Sequence, residues 1–179
     1  MPDISALLNG ATAFANSFIP LLLTGIAVVA GLVLIYKAIR GIYEKGSERS
    51  SGGPGQVGFG GLAFQLLIGG MCLRLGASME DVSQLLFGTG IQDVSGVLAY
   101  APLAAQAGIW RQVLEVCLLW VVMLGWAGAF RGLLLWNLAA SGGASGGSSG
   151  DHFWRGTWHL IGGAAAVNMT GMIQSFLGN

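Results

Sequence analysis

No charged side chain occurs between Ile4 and Tyr36, and the last 19 residues of that run, Phe18 to Tyr36, are strongly apolar. About 20 apolar residues cross a bilayer core as a helix, so this run predicts a transmembrane span. Pro20 sits near its start, where a missing N–H is tolerated. The milder residues 1–17 read as an interfacial lead-in. Lys37, Arg40, Glu44, Lys45, Glu48 and Arg49 then arrive within thirteen residues. Spacings of three and four put Lys37, Arg40 and Glu44 on one helical face, as in a helix continuing out of the membrane. The stretch Ser50-Ser51-Gly52-Gly53-Pro54-Gly55-Gln56 stops it.

A second apolar run, Val57 to Leu73, is 17 residues long, contains one polar residue, Gln65, and ends at Arg74. It predicts another span, extended by an amphipathic helix through Met79, Val82, Leu85 and Leu86, with Glu80 and Asp81 on the wet face. Residues 88–110 are Ala/Gly-rich and broken by Pro102. They read either as an interfacial or re-entrant piece or as a further weak span over Val94 to Trp110. A third run, Gln112 to Ala140, is 29 residues long and interrupted by Arg131. As a helix it measures roughly 43 Å, more than the roughly 30 Å core, and tilt or a protruding end absorbs the excess. After the linker at residues 141–150, His159 to Gly178 gives a fourth uncharged run.

These elements predict an all-α integral membrane protein of about four transmembrane helices, arranged as two tandem helical hairpins. Residues 1–88 form the first, with spans near 18–36 and 57–73 and the amphipathic extension. Residues 89–111 connect, and 112–179 form the second, with spans near 112–135 and 159–178. The halves share a motif: Leu67-Ile68-Gly69-Gly70 recurs 93 residues later as Leu160-Ile161-Gly162-Gly163. Shared order of elements makes this more than shared composition.

Composition supports the membrane reading. Hydrophobic residues make up 54% of the chain and charged residues 9%, against roughly 25% charged in a soluble domain. The 31 glycines are costly in soluble helices, but in membranes they let backbones approach closely. Net charge is zero, which gives no basic patch for nucleic acid. Cys72 and Cys117 sit in apolar runs and read as packed thiols. The start of the chain has no positively charged segment, so no cleavable signal is expected. Lys37, Arg40, Lys45 and Arg49 form the largest basic cluster, which places the first linker in the cytoplasm of a multi-pass inner-membrane protein. With four spans the second linker follows it; a span over Val94 to Trp110 would reverse the second half.

Polar residues at membrane depth are the candidate sites. Arg131 is the sharpest, flanked by Gly128 and Gly132 in a GxxxG frame. It either snorkels to the head groups or faces a lumen or a lipid phosphate. Arg111 and Glu115 read as an interfacial ion pair. Gln65 and Asn168 read as hydrogen bonds between helices. Gly162, Ala166 and Thr170 form a small-residue stripe, and Gly69, Gly70 and Gly163 are further packing candidates. His152 and His159, seven apart, fall short of a metal site, and Trp154 and Trp158 beside them read as interface anchors. No nucleophile, base and orienting group stand together. Neither an enzyme, a metal nor a cofactor is expected, beyond a bound phospholipid.

Trp158-His159-Leu160-Ile161-Gly162-Gly163, followed by Asn168 and Gly171, resembles the C-terminal signature of the DotE/IcmC and DotP/IcmD membrane proteins of type IVB secretion systems and their TraQ and TraR relatives from IncI-type plasmids. Size and layout resemble the longer, DotE/TraQ-like members. The resemblance implies a pilin-like structural subunit of a secretion or conjugation apparatus, with DNA only as possible cargo. Its partners would be lipid, further copies of itself or other membrane subunits. By analogy with short pilins, Lys37, Arg40, Lys45 and Arg49 would face a lumen or lipid, as would Arg131. Two hairpins and no signal peptide depart from an extruded pilin, so an embedded channel-complex subunit fits the layout as well. The alternative is an independent small channel or transporter with Gln65, Arg131 and Asn168 lining its path.

Overall fold

Apolar runs with no charge to solvate become long helices, and the computed structural model is helical wherever it describes regular structure. It describes residues 4–47, 58–88, 90–91, 108–142 and 148–177. Helix α1 runs Ile4–Ser47, 44 residues without a break. Residues 4–17, expected as a separate lead-in, are its first turns. It continues past Lys37, and the part long and apolar enough to cross a membrane is Leu21–Gly46.

Helix α2, Phe59–Leu73, ends at Arg74, whose backbone (φ −117°, ψ 42°) leaves the helical region. Helix α3, Leu75–Phe87, departs at 100° to it. The bend would strand carbonyls of the last α2 turn. The Ser78 hydroxyl donates to one of them, Met71 O, at 3.3 Å. Gly88, at φ 71°, ends α3 in the left-handed conformation that suits glycine.

Helix α4 is Gly108–Ala140, starting four residues before the predicted Gln112. Helix α5, Ser149–Val167, begins ten residues before the predicted His159. The cause is a cap: Ser148 Oγ accepts the Asp151 N–H at 3.3 Å, and Arg155 closes on Asp151 at 3.2 Å. The single run expected over 159–178 is divided at Asn168 (φ −104°, ψ 31°), after which α6, Met169–Leu177, begins.

Among the described residues, two helices are long and apolar enough to cross a membrane, α1 and α4, or three if bent α2 and α3 count as one span. Helix α5 is not among them, because Asp151, His152 and Arg155 dilute its first half. Residues 48–57, 92–107 and 143–147 lie outside the described residues, and with them most of the predicted connector and of both linkers.

The helices pack as two antiparallel pairs. Gly31 meets Gly69 and Gly41 meets Leu62, so numbers rising along α1 fall along α2. Gly125 meets Gly163 and Gly132 meets Gly156, the same relation for α4 and α5. Helix α4 also packs on α1 and α2, and α3 lies against α5 and α6. Phe64, two residues from Leu62, touches Trp136 and Phe153. The linker-facing ends of both pairs therefore meet, and α1 and α4 run in the same direction. One buried cluster spans all this: Ala27 and Leu34 from α1, Ile68 and Cys72 from α2, Ala129 and Leu133 from α4, Leu160 and Ala164 from α5.

Candidate functional site

Where two glycines face each other, helix backbones touch. A Cβ added at Gly31 would lie 2.8 Å from Gly69 O, and one at Gly69 3.0 Å from Gly31 O. On α4 and α5 the same contact occurs twice. A Cβ at Gly125 would lie 2.9 Å from Gly163 O, one at Gly163 2.6 Å from Gly125 O, and Gly132 and Gly156 would each come 2.8 Å from the other's carbonyl oxygen. Such distances leave no room for a methyl group. In a bilayer, where apolar burial alone drives little helix association, this close van der Waals contact is what holds helices together.

The seams repeat. Gly31 and Gly125 are 94 residues apart, as are Gly69 and Gly163, and as are the breaks at Arg74 and Asn168. The structural correspondence is thus shifted by one from the 93-residue match of the shared motif. Gly31, Gly125 and Gly156, which are not among the predicted packing residues, carry three of the six touching positions. The signal that marks two of them is a seven-residue spacing, Gly125 to Gly132 facing Gly156 to Gly163, two helical turns on each side.

The linker-facing end is held by aromatic rings. Trp136 stacks on Phe153 with ring centroids 5.4 Å apart and 9° between planes, and lies 5.9 Å from Phe64. Its indole N–H is shared between Phe153 O at 3.1 Å and Thr157 Oγ1 at 3.2 Å, so the polar edge is satisfied inside an apolar cluster.

Three of the five predicted cations lie on the outside. Arg131 is exposed on α4, as are Lys37 and Arg40 on α1. Arg40 pairs with Glu44 at 2.6 Å, one turn on. Lys45 is half-buried, and Arg49 falls outside the described residues. Arg131 is the residue 94 beyond Lys37. With α1 and α4 parallel, equivalent positions of the two helices both carry an exposed cation toward the same end. Trp154 and Trp158 are exposed on α5 in edge-to-face contact, centroids 5.8 Å apart.

The predicted packing residues divide by position. Gly69, Gly132 and Gly163 lie in the seams described above, whereas a Cβ at Gly70 or Gly162 would meet nothing within 4 Å. Gly128 comes no nearer than an ordinary 3.8 Å to His159 O. The Ala166 methyl lies against Gly125. Gln65, Asn168 and Thr170 are buried. No three His, Cys, Asp or Glu side chains gather into a metal-binding group among the described residues.

Beside the α4–α5 seam, on the outer surface, runs a groove of about 260 Å³. It is lined by the glycines Gly128 and Gly162, the second of them exposed, together with Val121, Leu124 and Trp158. Comparison with known protein families, with characterised proteins and with solved structures gives no match to this chain.

Proposed function

We propose that the chain is a structural, pilin-like inner-membrane subunit of a type IVB secretion or conjugative transfer apparatus, built of four membrane-embedded segments in two tandem hairpins. In this reading α1 and α4 cross fully, and α2 with α3, and α5 with α6, return as broken segments. Both linkers then lie in the cytoplasm, beside the cluster Lys37, Arg40, Lys45 and Arg49. Arg131, at the position equivalent to Lys37, reaches the same layer of lipid phosphates, and Trp154 and Trp158 anchor that interface.

The observation that supports this most is where the polar groups lie. Gln65 and Asn168 are buried in the packed interior, while Arg131 is on the outside. A transporter needs such groups to converge on one path, and these three do not. What the chain builds with care is helix contact: three Gly–Gly approaches and an apolar exterior. That is the chemistry of a scaffold. The resemblance of the Trp158–Gly171 stretch supplies the system in which such a scaffold would work.

The test is to delete the chain from its host, restore it with an affinity tag, and measure substrate transfer and co-purifying membrane proteins. The expected result is loss of transfer on deletion and recovery of the tagged chain within a large complex. A chain recovered only as a free monomer, and conducting a solute selectively in liposomes by itself, would overturn the proposal.

A further inference from the structure

The 94-residue correspondence allows each surface of one half to be compared with its counterpart in the other. The halves do not meet symmetrically. Helix α4 packs on both α1 and α2, but α1 makes no comparable contact with α5 among the described residues. A twofold-related pair would show both contacts. The halves instead join head to tail, and such a contact leaves one unmatched surface at each end.

Both unmatched surfaces are present. The face of α4 turned toward the first half carries Trp126, Phe130 and Leu133, which pack in or against the core. It lies ~100° round the helix from the glycines that meet α5. The equivalent residues on α1 are Leu32, Tyr36 and Ile39. They are 56%, 65% and 55% exposed, whereas Leu133 is 1% exposed. Tyr43, one turn further, extends this bare ridge.

The other end shows the converse. In the first half, Leu34, Ile68 and Cys72 are buried, and Phe64 contacts Trp136 of the second half. Their equivalents are Gly128, Gly162, Ala166 and Trp158, all of which line the open groove on α4 and α5. Ile68 is fully buried, while Gly162 is exposed and Trp158 is 59% exposed. The groove is therefore the counterpart of the surface by which the first half grips the second.

We propose that copies of this chain assemble head to tail, the α1 ridge of Leu32, Tyr36, Ile39 and Tyr43 in one copy seating in the glycine-lined α4–α5 groove of the next. The contact would continue, between chains, the packing already made within one. Its glycine lining admits large side chains close to the backbone, and the ridge supplies them. A repeated heterologous contact closes into a ring or runs on as a filament. The inference rests on the reading of the chain as a membrane-embedded assembling subunit.

The intramolecular contact Phe64–Trp136 corresponds to Trp158 of one copy against Ile42 of the next. In a background of Cys72→Ala and Cys117→Ala, Ile42→Cys and Trp158→Cys are placed in separately tagged chains, co-expressed, and treated in membranes with a short thiol cross-linker. The mixed product is expected, without self-linking of either variant, and a chain carrying both cysteines is expected to give a ladder of multimers. Gly162→Leu fills the groove at a position where a Cβ meets nothing within 4 Å. It should abolish the ladder while leaving thermal unfolding of the chain unchanged. Predominant self-linking, a ladder that survives Gly162→Leu, or a groove occupied only by lipid acyl chains with no cross-link would each overturn the head-to-tail contact. If the cross-links fail while the chain still purifies within a large complex, the scaffold reading stands and only this interface falls.

Discussion

Arg74 and Asn168, 94 residues apart, interrupt their helices with nearly the same backbone, φ −117° and ψ 42° against φ −104° and ψ 31°. Each donates its N–H four residues back, to Gly70 O at 3.2 Å and Ala164 O at 2.9 Å. Each carbonyl accepts from four residues ahead, from Ser78 at 2.8 Å and Met172 at 3.0 Å. The side chains differ and the geometry does not. The break is a property of the repeated architecture, and the seams Gly31–Gly69 and Gly125–Gly163 sit at matching distances before it.

The seams give a graded set of substitutions. Gly31→Ala, Gly69→Ala, Gly125→Ala and Gly163→Ala each push a methyl group into a facing backbone. Overpacking of this kind costs about 1–3 kcal/mol. Gly70→Ala, with open space around its Cβ position, should leave stability unchanged or raise it by up to about 1 kcal/mol through helix propensity. Unfolding titrations in mixed detergent micelles measure the difference. Equal effects at Gly69 and Gly70 would contradict the seam.

Trp136 tests the linker-facing end. Trp136→Phe keeps a ring beside Phe153 and Phe64 but removes the N–H shared by Phe153 O and Thr157 Oγ1. A loss of about 0.5–1.5 kcal/mol is expected. Trp136→Ala removes the stack as well, and about 3–5 kcal/mol should be lost. The same titrations read both variants, and a ranking in the reverse order would show that the rings are not what holds that end.

The start of α5 depends on one hydroxyl. Ser148→Ala should cost about 1 kcal/mol and speed hydrogen exchange at the Asp151 amide, with amides after Gly156 unchanged. Unaltered exchange at Asp151 would mean that the cap contributes nothing.

Arg131 separates two roles. If, beyond reaching the head-group layer, it holds a bound lipid or lines a lumen in the working assembly, Arg131→Leu should reduce transfer by tenfold or more while membrane insertion is retained, and Arg131→Lys should restore part of it. Transfer equal to that of the unaltered chain would assign Arg131 to snorkelling alone.

The helical class and the two helices long and apolar enough to cross a membrane were plain in the sequence, because uncharged apolar runs such as Phe18–Tyr36 and Val116–Phe130 favour long helices. So was the end of α2 at Arg74. The 100° bend was not readable there, since nothing in Leu73-Arg74-Leu75 forbids a straight helix, and the hydrogen bond from Ser78 to Met71 O exists only once the chain has turned. The early start of α5 was readable in Ser148-x-x-Asp151, a capping pattern hidden behind the Gly/Ser linker. The seam glycines were half readable. Their type was evident, but the choice of Gly163 over Gly162 is set by which side of α5 meets α4, and the two are ~100° apart on the helix.

The parallel course of α1 and α4, with both linker-facing ends meeting at Phe64, Trp136 and Phe153, underlies both the topology and the assembly proposed. It is tested most directly by cysteine accessibility at Ser50→Cys and Ser149→Cys, in a chain with Cys72 and Cys117 replaced by alanine, using a membrane-impermeant maleimide on intact cells and on inverted vesicles. Both positions should label only in inverted vesicles, from the cytoplasmic side. Labelling of the two from opposite sides of the membrane would contradict it.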